Sequence, residues 1–470
     1  MISLRAYTDK AVGIYGAGSA GLSAHAAFAA AGAHPFFWDE NEQVRQRVSA
    51  TGIKCIPPKD WPWDELAVIV PGFSTRPGFV RATRILGLAA EHSVPVRSDV
   101  DLFAEAMAAK TAAERPRIVG ITGTHGKSVT AALITHVLNA SGHDAWLGGT
   151  AGDSVLNLPE GGAGTTYVLE ILPQTLAFTR QLRCDAGVLL NLTALDVRYF
   201  KTADKAVRAA TRIFRNQRDD DAMIIGVDDI LSQKICTAIT ASFNTGDNII
   251  AVSGEATLGL GVFSLDGRVF DARSDKTASL GTITRAPGIF GAHFNQAAAA
   301  TYAVCLHLGL TAPLITRAVT AWPGLPGRLF CMGDHQETVF FDDGAASWLP
   351  STIAALNAGE DIIWIGGGEH RQRDYARLRE AGDGVLKAFL YGEAAEPIAR
   401  ATARTFDSVL CASPEDAIRA ALKEARRLAE EDDIAMPMVL FSPGCPGAGQ
   451  GANQALFTRI VQSLIESDAA

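Results

Sequence analysis

Gly120-Ile-Thr-Gly-Thr-His-Gly-Lys-Ser-Val-Thr130 decides how this chain is read. An apolar run at 118–121 leads into a glycine-rich turn, and Lys127-Ser128 opens a helical pattern over 129–138. Backbone N–H groups at such a helix start suit a phosphate, a lysine neutralises it, and a serine hydroxyl can ligate magnesium. The first glycine, Gly120, stands six residues before Gly126 rather than five, so Gly123-Thr124-His125-Gly126-Lys127-Ser128 is a variant of the common nucleotide loop. The alternative, a glycine turn capped by Ser128, gives the lysine no reason to be there.

The alternation of strand and helix patterns extends outward on both sides. Upstream, 11–15 reads as a strand, 19–31 as an alanine-rich helix, 35–38 as a second strand and 66–70 as a later one. Gly16-Ala17-Gly18-Ser19-Ala20-Gly21 sits at the first turn and Asp39 follows the second strand, which is the dinucleotide fingerprint with its acidic residue. The glycines permit a tight turn and close approach to a phosphate without saying whose; NAD and a UDP-sugar are both compatible. Downstream, strands are expected at 167–170, 187–191 and 223–227, a helix at 205–216, and a β-rich flank from 249 to about 284 that turns at Asp266-Gly267. A helix at 296–308 ends at Gly309. The stretch Trp322-Pro-Gly-Leu-Pro-Gly-Arg328 reads as a hinge or linker. A third run of strands follows at 339–342, 361–366, 385–392, 408–411 and 438–442. Ligands are expected at the carboxyl ends of such parallel strands.

Composition bounds the rest. A chain of 470 residues needs several cores. A net charge of −9 argues against general nucleic-acid affinity, with 48% apolar and 20% charged residues typical of globular domains. Seven scattered cysteines lack metal-ligand spacing and suit a reducing compartment. With no leader-like or membrane-length apolar run, the expectation is a cytoplasmic protein, a monomer without membrane insertion.

Several of these motifs in order resemble the Mur ligases: Gly16–Gly21, Asp99-Val-Asp-Leu-Phe103, Gly120–Ser128, Gly148-Gly-Thr-Ala-Gly152, Gly187–Thr193, Gly226-Val-Asp-Asp229, Gly324-Leu-Pro-Gly-Arg328 and Ser442-Pro-Gly-Cys445. The resemblance covers nearly the whole chain. It implies an α/β fold of three domains: a Rossmann-like UDP-precursor-binding domain at 1–105, a central P-loop ATPase-like parallel sheet with a β-rich flank at 106–322, and a C-terminal Rossmann-like domain at 323–470. It also implies ATP-dependent amide synthesis, adding an acidic amino acid (D-glutamate) to a UDP-muramoyl-alanine precursor through an acyl phosphate, with ATP and Mg2+ required.

Carried over residue by residue, the resemblance assigns ATP contacts to Gly123, Thr124, His125, Gly126, Lys127, Ser128, Thr130, Arg328 and Asp343. It assigns the uridine nucleotide to Gly16, Gly18, Ser19 and Asp39, and magnesium to Ser128, Glu170 and Asp196. Lys127, Glu170 and Asp196 form the catalytic set. Other positions depart from the family pattern. Asn191-Leu-Thr-Ala-Leu-Asp-Val-Arg-Tyr199 is one residue short and puts Leu195 or Asp196 where the family has a histidine. The family's carbamylated lysine falls on Ala210 (Thr211 without the gap), leaving Lys205 as a poor substitute. Leu172-Pro173 replaces a serine pair, Ala345 replaces the amino-acid-holding lysine within Asp342-Asp-Gly-Ala-Ala-Ser347, and the loop after Cys445 is short. Gly291-Ala-His293-Phe294-Asn295 alters an adenine-contacting asparagine. These losses raise a second expectation, a weakened relative that binds nucleotide or precursor as a partner or regulator. An NAD-dependent oxidoreductase rests on Gly16–Gly21 alone. Arg371 and Arg373 after Gly366-Gly-Gly368, and Arg76 and Arg97 in the first domain, are candidate anion contacts. Trp61 and Trp63 read as a loop anchor, and Glu430–Asp433 as a solvated helix end.

Overall fold

The computed structural model describes residues 1–72, 79–149, 153–242, 248–284, 286–371, 374–431, 434, 436–447 and 449–468. Arg76, Arg373 and the 150–152 part of the glycine stretch after 148 lie outside these residues, as do Asp432 and Asp433. The chain divides into two compact units, Met1–Thr282 with Gln296–Ala318, and Ile283–Asn295 with Val319–Ala470.

The first unit contains two sheets. Strands β1 (Ala11–Tyr15), β2 (His34–Trp38) and β3 (Leu66–Pro71) pair in parallel in the order 2-1-3. The second sheet is built from β4 (Arg117–Thr122), β5 (Asp144–Gly148), β6 (Thr165–Glu170), β7 (Ala186–Leu189), β8 (Ala222–Gly226), β9 (Ile249–Ser253), β10 (Val262–Leu265), β11 (Arg268–Asp271) and β12 (Ala278–Thr282). Its order is 12-11-10-9-8-7-4-6-5, parallel from β5 through β10 and antiparallel at the β10–β11–β12 flank. Asp266 and Gly267, both at positive φ (50° and 67°), turn the β10–β11 hairpin as their residue types require.

β4 lies between β6 and β7, so the strand order reverses beside it and a crevice opens beyond its carboxyl end. The helix Lys127–Ala140 starts at that point. One hydrophobic core runs through both sheets: Val12, Ile14 and Phe28 belong to the same cluster as Ile118, Tyr167 and Leu189. The helix Asp99–Ala108 joins them, with Phe103 packed edge-on against Tyr167 at 5.1 Å. Arg97 reinforces this joint. Its guanidinium donates to Asp101 at 2.7 Å, and the other Asp101 oxygen accepts the Arg180 and Gln181 N–H groups. Arg97 thus has a structural role at this joint. Trp61 is buried, stacks on Trp63 at 5.8 Å and donates to the Ile56 carbonyl, the anchor its sequence suggested.

The helix expected over 205–216 is shorter. It spans Ala203–Ala210 and tightens into a 3-10 turn, Thr211–Phe214, which buries Ile213 and Phe214 beneath the sheet. Lys205 is exposed on it, and Ala210 is fully buried in the core.

The second unit holds β13 (Phe330–His335), β14 (Thr338–Asp342), β15 (Ile362–Gly367), β16 (Val385–Tyr391), β17 (Asp407–Cys411) and β18 (Met438–Gly444), in the order 13-14-18-15-16-17. All pairs are parallel except the β13–β14 hairpin. β13 escaped the sequence reading because its polar and small residues, Gly333 and Asp334 among them, give no apolar run. The Pro-Gly stretch read as a hinge lies in this unit and folds into a tight turn closed by a Leu325–Arg328 bridge.

Candidate functional site

The glycine loop after β4 is built for a concave backbone. Gly126 has φ of 80° and caps the helix that begins at Lys127, a conformation a side chain would strain. Lys127 is 8% exposed; its ammonium curls back to donate to the carbonyls of Gly123 (2.9 Å) and Thr124 (3.0 Å). The positive charge is thereby held inside the loop at the N-terminal, positive end of the helix, where an anion would sit. Thr130 is fully buried and its hydroxyl donates to the Gly126 carbonyl, so this residue braces the turn from beneath.

The segment after β7 grips the same loop. The Thr124 hydroxyl hydrogen-bonds to Asp196, accepts the Thr193 N–H at 3.0 Å, and the Thr124 N–H donates to the Asn191 carbonyl at 3.0 Å. The Asn191 side chain takes the His125 N–H at 2.9 Å and returns a hydrogen bond to the His125 carbonyl at 3.2 Å. Asp196 is 4% exposed. The structure therefore brings Thr124, Lys127 and Asp196 into one constellation.

Glu170 ends β6, and in the strand register it stands opposite Ile121, at the base of the glycine loop. Its Oε2 is buried without a hydrogen-bond partner among the described residues, as is the Thr122 hydroxyl. An unsatisfied buried carboxylate oxygen is costly to keep and demands a partner. A hard divalent cation meets that demand, and the oxygen-only set of Glu170, Ser128 and Asp196 matches what magnesium prefers. Among the described residues no three His, Cys, Asp or Glu side chains gather as a self-sufficient metal cluster. Magnesium here would need phosphate oxygens and water to complete its shell.

The fingerprint loop after β1 is tightly packed. Gly21 lies so close to the preceding turn that a Cβ there would come within 2.0 Å of the Gly16 carbonyl. Asp39 accepts the Ala17 N–H at 2.8 Å, tying the end of β2 to the loop, while Gly18 caps the helix Ser19–Ala30.

In the second unit, Asp342 ends β14, Asp343 follows it, and both are buried. Asp343 accepts from Ser442 at 2.7 Å and from the Leu329 N–H at 3.2 Å. Desolvation pushes its pKa up to about 7, opposed by the Ser442 hydrogen bond and the Arg328 charge. Asp342 is raised too, chiefly by burial, and is held by Gln454 at 2.8 Å. Arg371 is largely exposed and pairs with Glu369.

Residues 121–260 match the Mur ligase middle domain. The UDP-N-acetylmuramoylalanine–D-glutamate ligase of Caulobacter vibrioides is 34% identical over 456 residues, covering 96% of this chain and 94% of that one. The chain belongs to the Mur ligase family. The ligase of the same name from Phenylobacterium zucineum is 31% identical, covering 100% of this chain and 99% of its own length. Among solved structures, UDP-N-acetylmuramate-alanine ligase MurC from Thermotoga maritima superposes with a TM-score of 0.59 at 16% identity, covering 97% and 99% of the two chains. The MurF ligase from Thermotoga maritima in complex with ADP gives 0.54 at 16% identity, covering 85% and 90%. These two share the Mur ligase fold with this chain. The Asn191 clamp and its partners, Gln296 and Asp228, had no assigned role from sequence; the available signal was that Asn191 follows a strand, at its carboxyl end.

Proposed function

We propose that this Mur ligase is an ATP-dependent amide ligase that joins D-glutamate to UDP-N-acetylmuramoyl-L-alanine in peptidoglycan precursor synthesis. The carrying observation is the buried Lys127 in its glycine loop, with the unpartnered Glu170 oxygen at the base of the same loop. Names of full-length relatives supply the substrate pair. A carboxylate oxygen of the precursor attacks the γ-phosphorus and ADP leaves. The amino group of glutamate then attacks the acyl carbon, and phosphate departs as the amide forms. Lys127 and the loop amides bind and orient the phosphates, and that positioning is most of what phosphoryl transfer asks of a protein. Ser128, Glu170 and Asp196 would hold magnesium, which when bound supplies charge neutralisation on the phosphates.

The domain boundaries 1–105, 106–322 and 323–470 belong to this proposal, with the precursor at Gly16, Gly18, Ser19 and Asp39, and ATP also meeting Arg328 and Asp343. So does a cytoplasmic, monomeric state; no described helix is long and apolar enough to cross a membrane. ADP release with UDP-muramoyl-alanine and a panel of amino acids tests the reading. Turnover is expected with D-glutamate and lost in Lys127→Ala; no turnover above that control for any pairing refutes it. A second reading is favoured by Ala210, whose burial leaves no functional group at that point: a relative that binds nucleotide or precursor without turnover. Calorimetric binding of the UDP precursor without ATP consumption supports it.

A further inference from the structure

A chain of three polar side chains stands behind the glycine loop. Asp228, just after β8, accepts from the Ser253 hydroxyl at 2.5 Å, the Gly254 N–H at 2.9 Å and the Gln296 amide at 2.7 Å. The Gln296 amide oxygen accepts from Asn191 Nδ2 at 3.1 Å, and Asn191 holds both the N–H and the carbonyl of His125. All of these residues lie in the first unit.

The polarity of this chain is fixed from one end. An ionised carboxylate only accepts, so Gln296 must turn its NH2 to Asp228 and its oxygen to Asn191. Asn191 must then turn its NH2 toward Gln296 and the His125 carbonyl, which leaves its oxygen for the His125 N–H. A trans peptide carries its C=O and N–H in opposite directions. With the His125 carbonyl held toward Asn191, the Gly126 N–H is directed to the other side of the loop. A neutral amide pair alone could flip as a unit; the charge at Asp228 removes that freedom.

We propose that Asp228 and Gln296 are positioning residues, which act through Asn191 to lock the His125–Gly126 peptide in the orientation that binds the ATP phosphates. The proposal rests on the nucleotide reading of the loop. Neither residue needs to touch ATP. Asp228→Ala removes the carboxylate oxygen that accepts both the Gln296 NH2 and the Gly254 N–H, so nothing then fixes the polarity of Gln296 or, through it, of Asn191.

The test is a double-mutant cycle on ATP affinity in the full chain, using Asp228→Ala, Gln296→Met and the pair, by calorimetry with Mg-ATP. UDP-muramoyl-alanine affinity in each variant serves as the fold control. Each single change is expected to weaken ATP binding about tenfold, and the double variant to be within about twofold of either single, because coupled residues are non-additive. Hydrogen exchange at the His125 amide is expected to speed up in both variants, while UDP-precursor affinity holds. ATP affinity as in wild type, or additive losses near a hundredfold, overturns the relay while leaving the nucleotide reading intact. A wild-type chain that binds no ATP overturns both. Should either variant fail the fold control, the other with its exchange readout decides alone: unchanged exchange at His125 refutes the proposal.

Discussion

Replacing Glu170 by glutamine should make the empty protein more stable and the nucleotide-loaded protein less so. Oε2 of Glu170 is buried with no hydrogen-bond partner among the described residues. Leaving such a group unsatisfied costs about 1–3 kcal/mol, and a charged one sits at the upper end. Glutamine keeps the shape and removes the charge, though its NH2 brings a demand of its own, so a net gain of about 1 kcal/mol is a fair expectation. For a unit of this size that corresponds to about 2 °C in thermal midpoint. Mg-ATP reverses the order. A ligand at a hundred times its Kd adds about 2.7 kcal/mol to the wild type. The variant, lacking the charged metal ligand, forgoes most of that. Loss of one charge-stabilising group also predicts a drop of about a hundredfold or more in ADP formation. The assay is a thermal melt of both proteins with and without Mg-ATP, and the signature is a crossing. If Glu170→Gln melts below wild type when empty, or gains as much from Mg-ATP, the reasoning that ties this carboxylate to a metal is wrong.

Three further outcomes follow from the geometry. Gly21→Ala drives a methyl group to 2.0 Å from the Gly16 carbonyl, so destabilisation of about 1–3 kcal/mol is expected, together with weaker binding of the UDP precursor; wild-type affinity would show that this loop does not hold the nucleotide. Asp343 should titrate near pH 7, since burial favours its neutral form. The unfolded chain binds that proton less tightly, so this group's contribution to stability falls as pH rises from about 4 to 7 and is flat above, and Asp343→Asn should remove that slope from melts across the range. A carboxyl infrared band titrating near 4 would contradict it. Chelation of divalent cations should abolish ATP binding measured by calorimetry while leaving UDP-precursor binding in place; equal ATP affinity in excess chelator would remove magnesium from the site.

How far the sequence carried depended on whether a feature was local. The strands flanking the glycine loop and the hairpin at Asp266-Gly267 were legible, because apolar runs and turn residues act over a few neighbours. The edge strand β13 was not: half-exposed, it gains its order by pairing with β14 rather than from its own composition. The early end of the helix at Ala210 was likewise hidden, since burial of Ile213 and Phe214 tightens the chain into a 3-10 turn with no breaker residue to announce it. Arg97 looked like an anion contact because no sequence rule discloses that Asp101, one turn on, would claim it. The clamp on His125 was the least readable of all. Asn191 and Gln296 are separated by 105 positions, and only the tertiary fold brings them together.

Charge arithmetic around the loop explains why these parts belong together. Asp196 is buried against Thr124, and Glu170 has a buried, unpartnered oxygen at the base of the loop; the nearby Lys127 ammonium is engaged with two loop carbonyls. A triphosphate entering this space brings several more negative charges into a partly desolvated region, where like charges a few ångströms apart repel by about 4 kcal/mol per pair at an effective dielectric of 20. One lysine cannot offset that. Magnesium held by Glu170, Ser128 and Asp196 would neutralise part of that charge. Lys127 would turn from its own loop carbonyls to the anion, and the amides oriented through Asn191 would complete the cradle. The carboxylates that make the empty site unfavourable are, on this argument, what makes the filled one selective for a nucleotide that arrives with its metal.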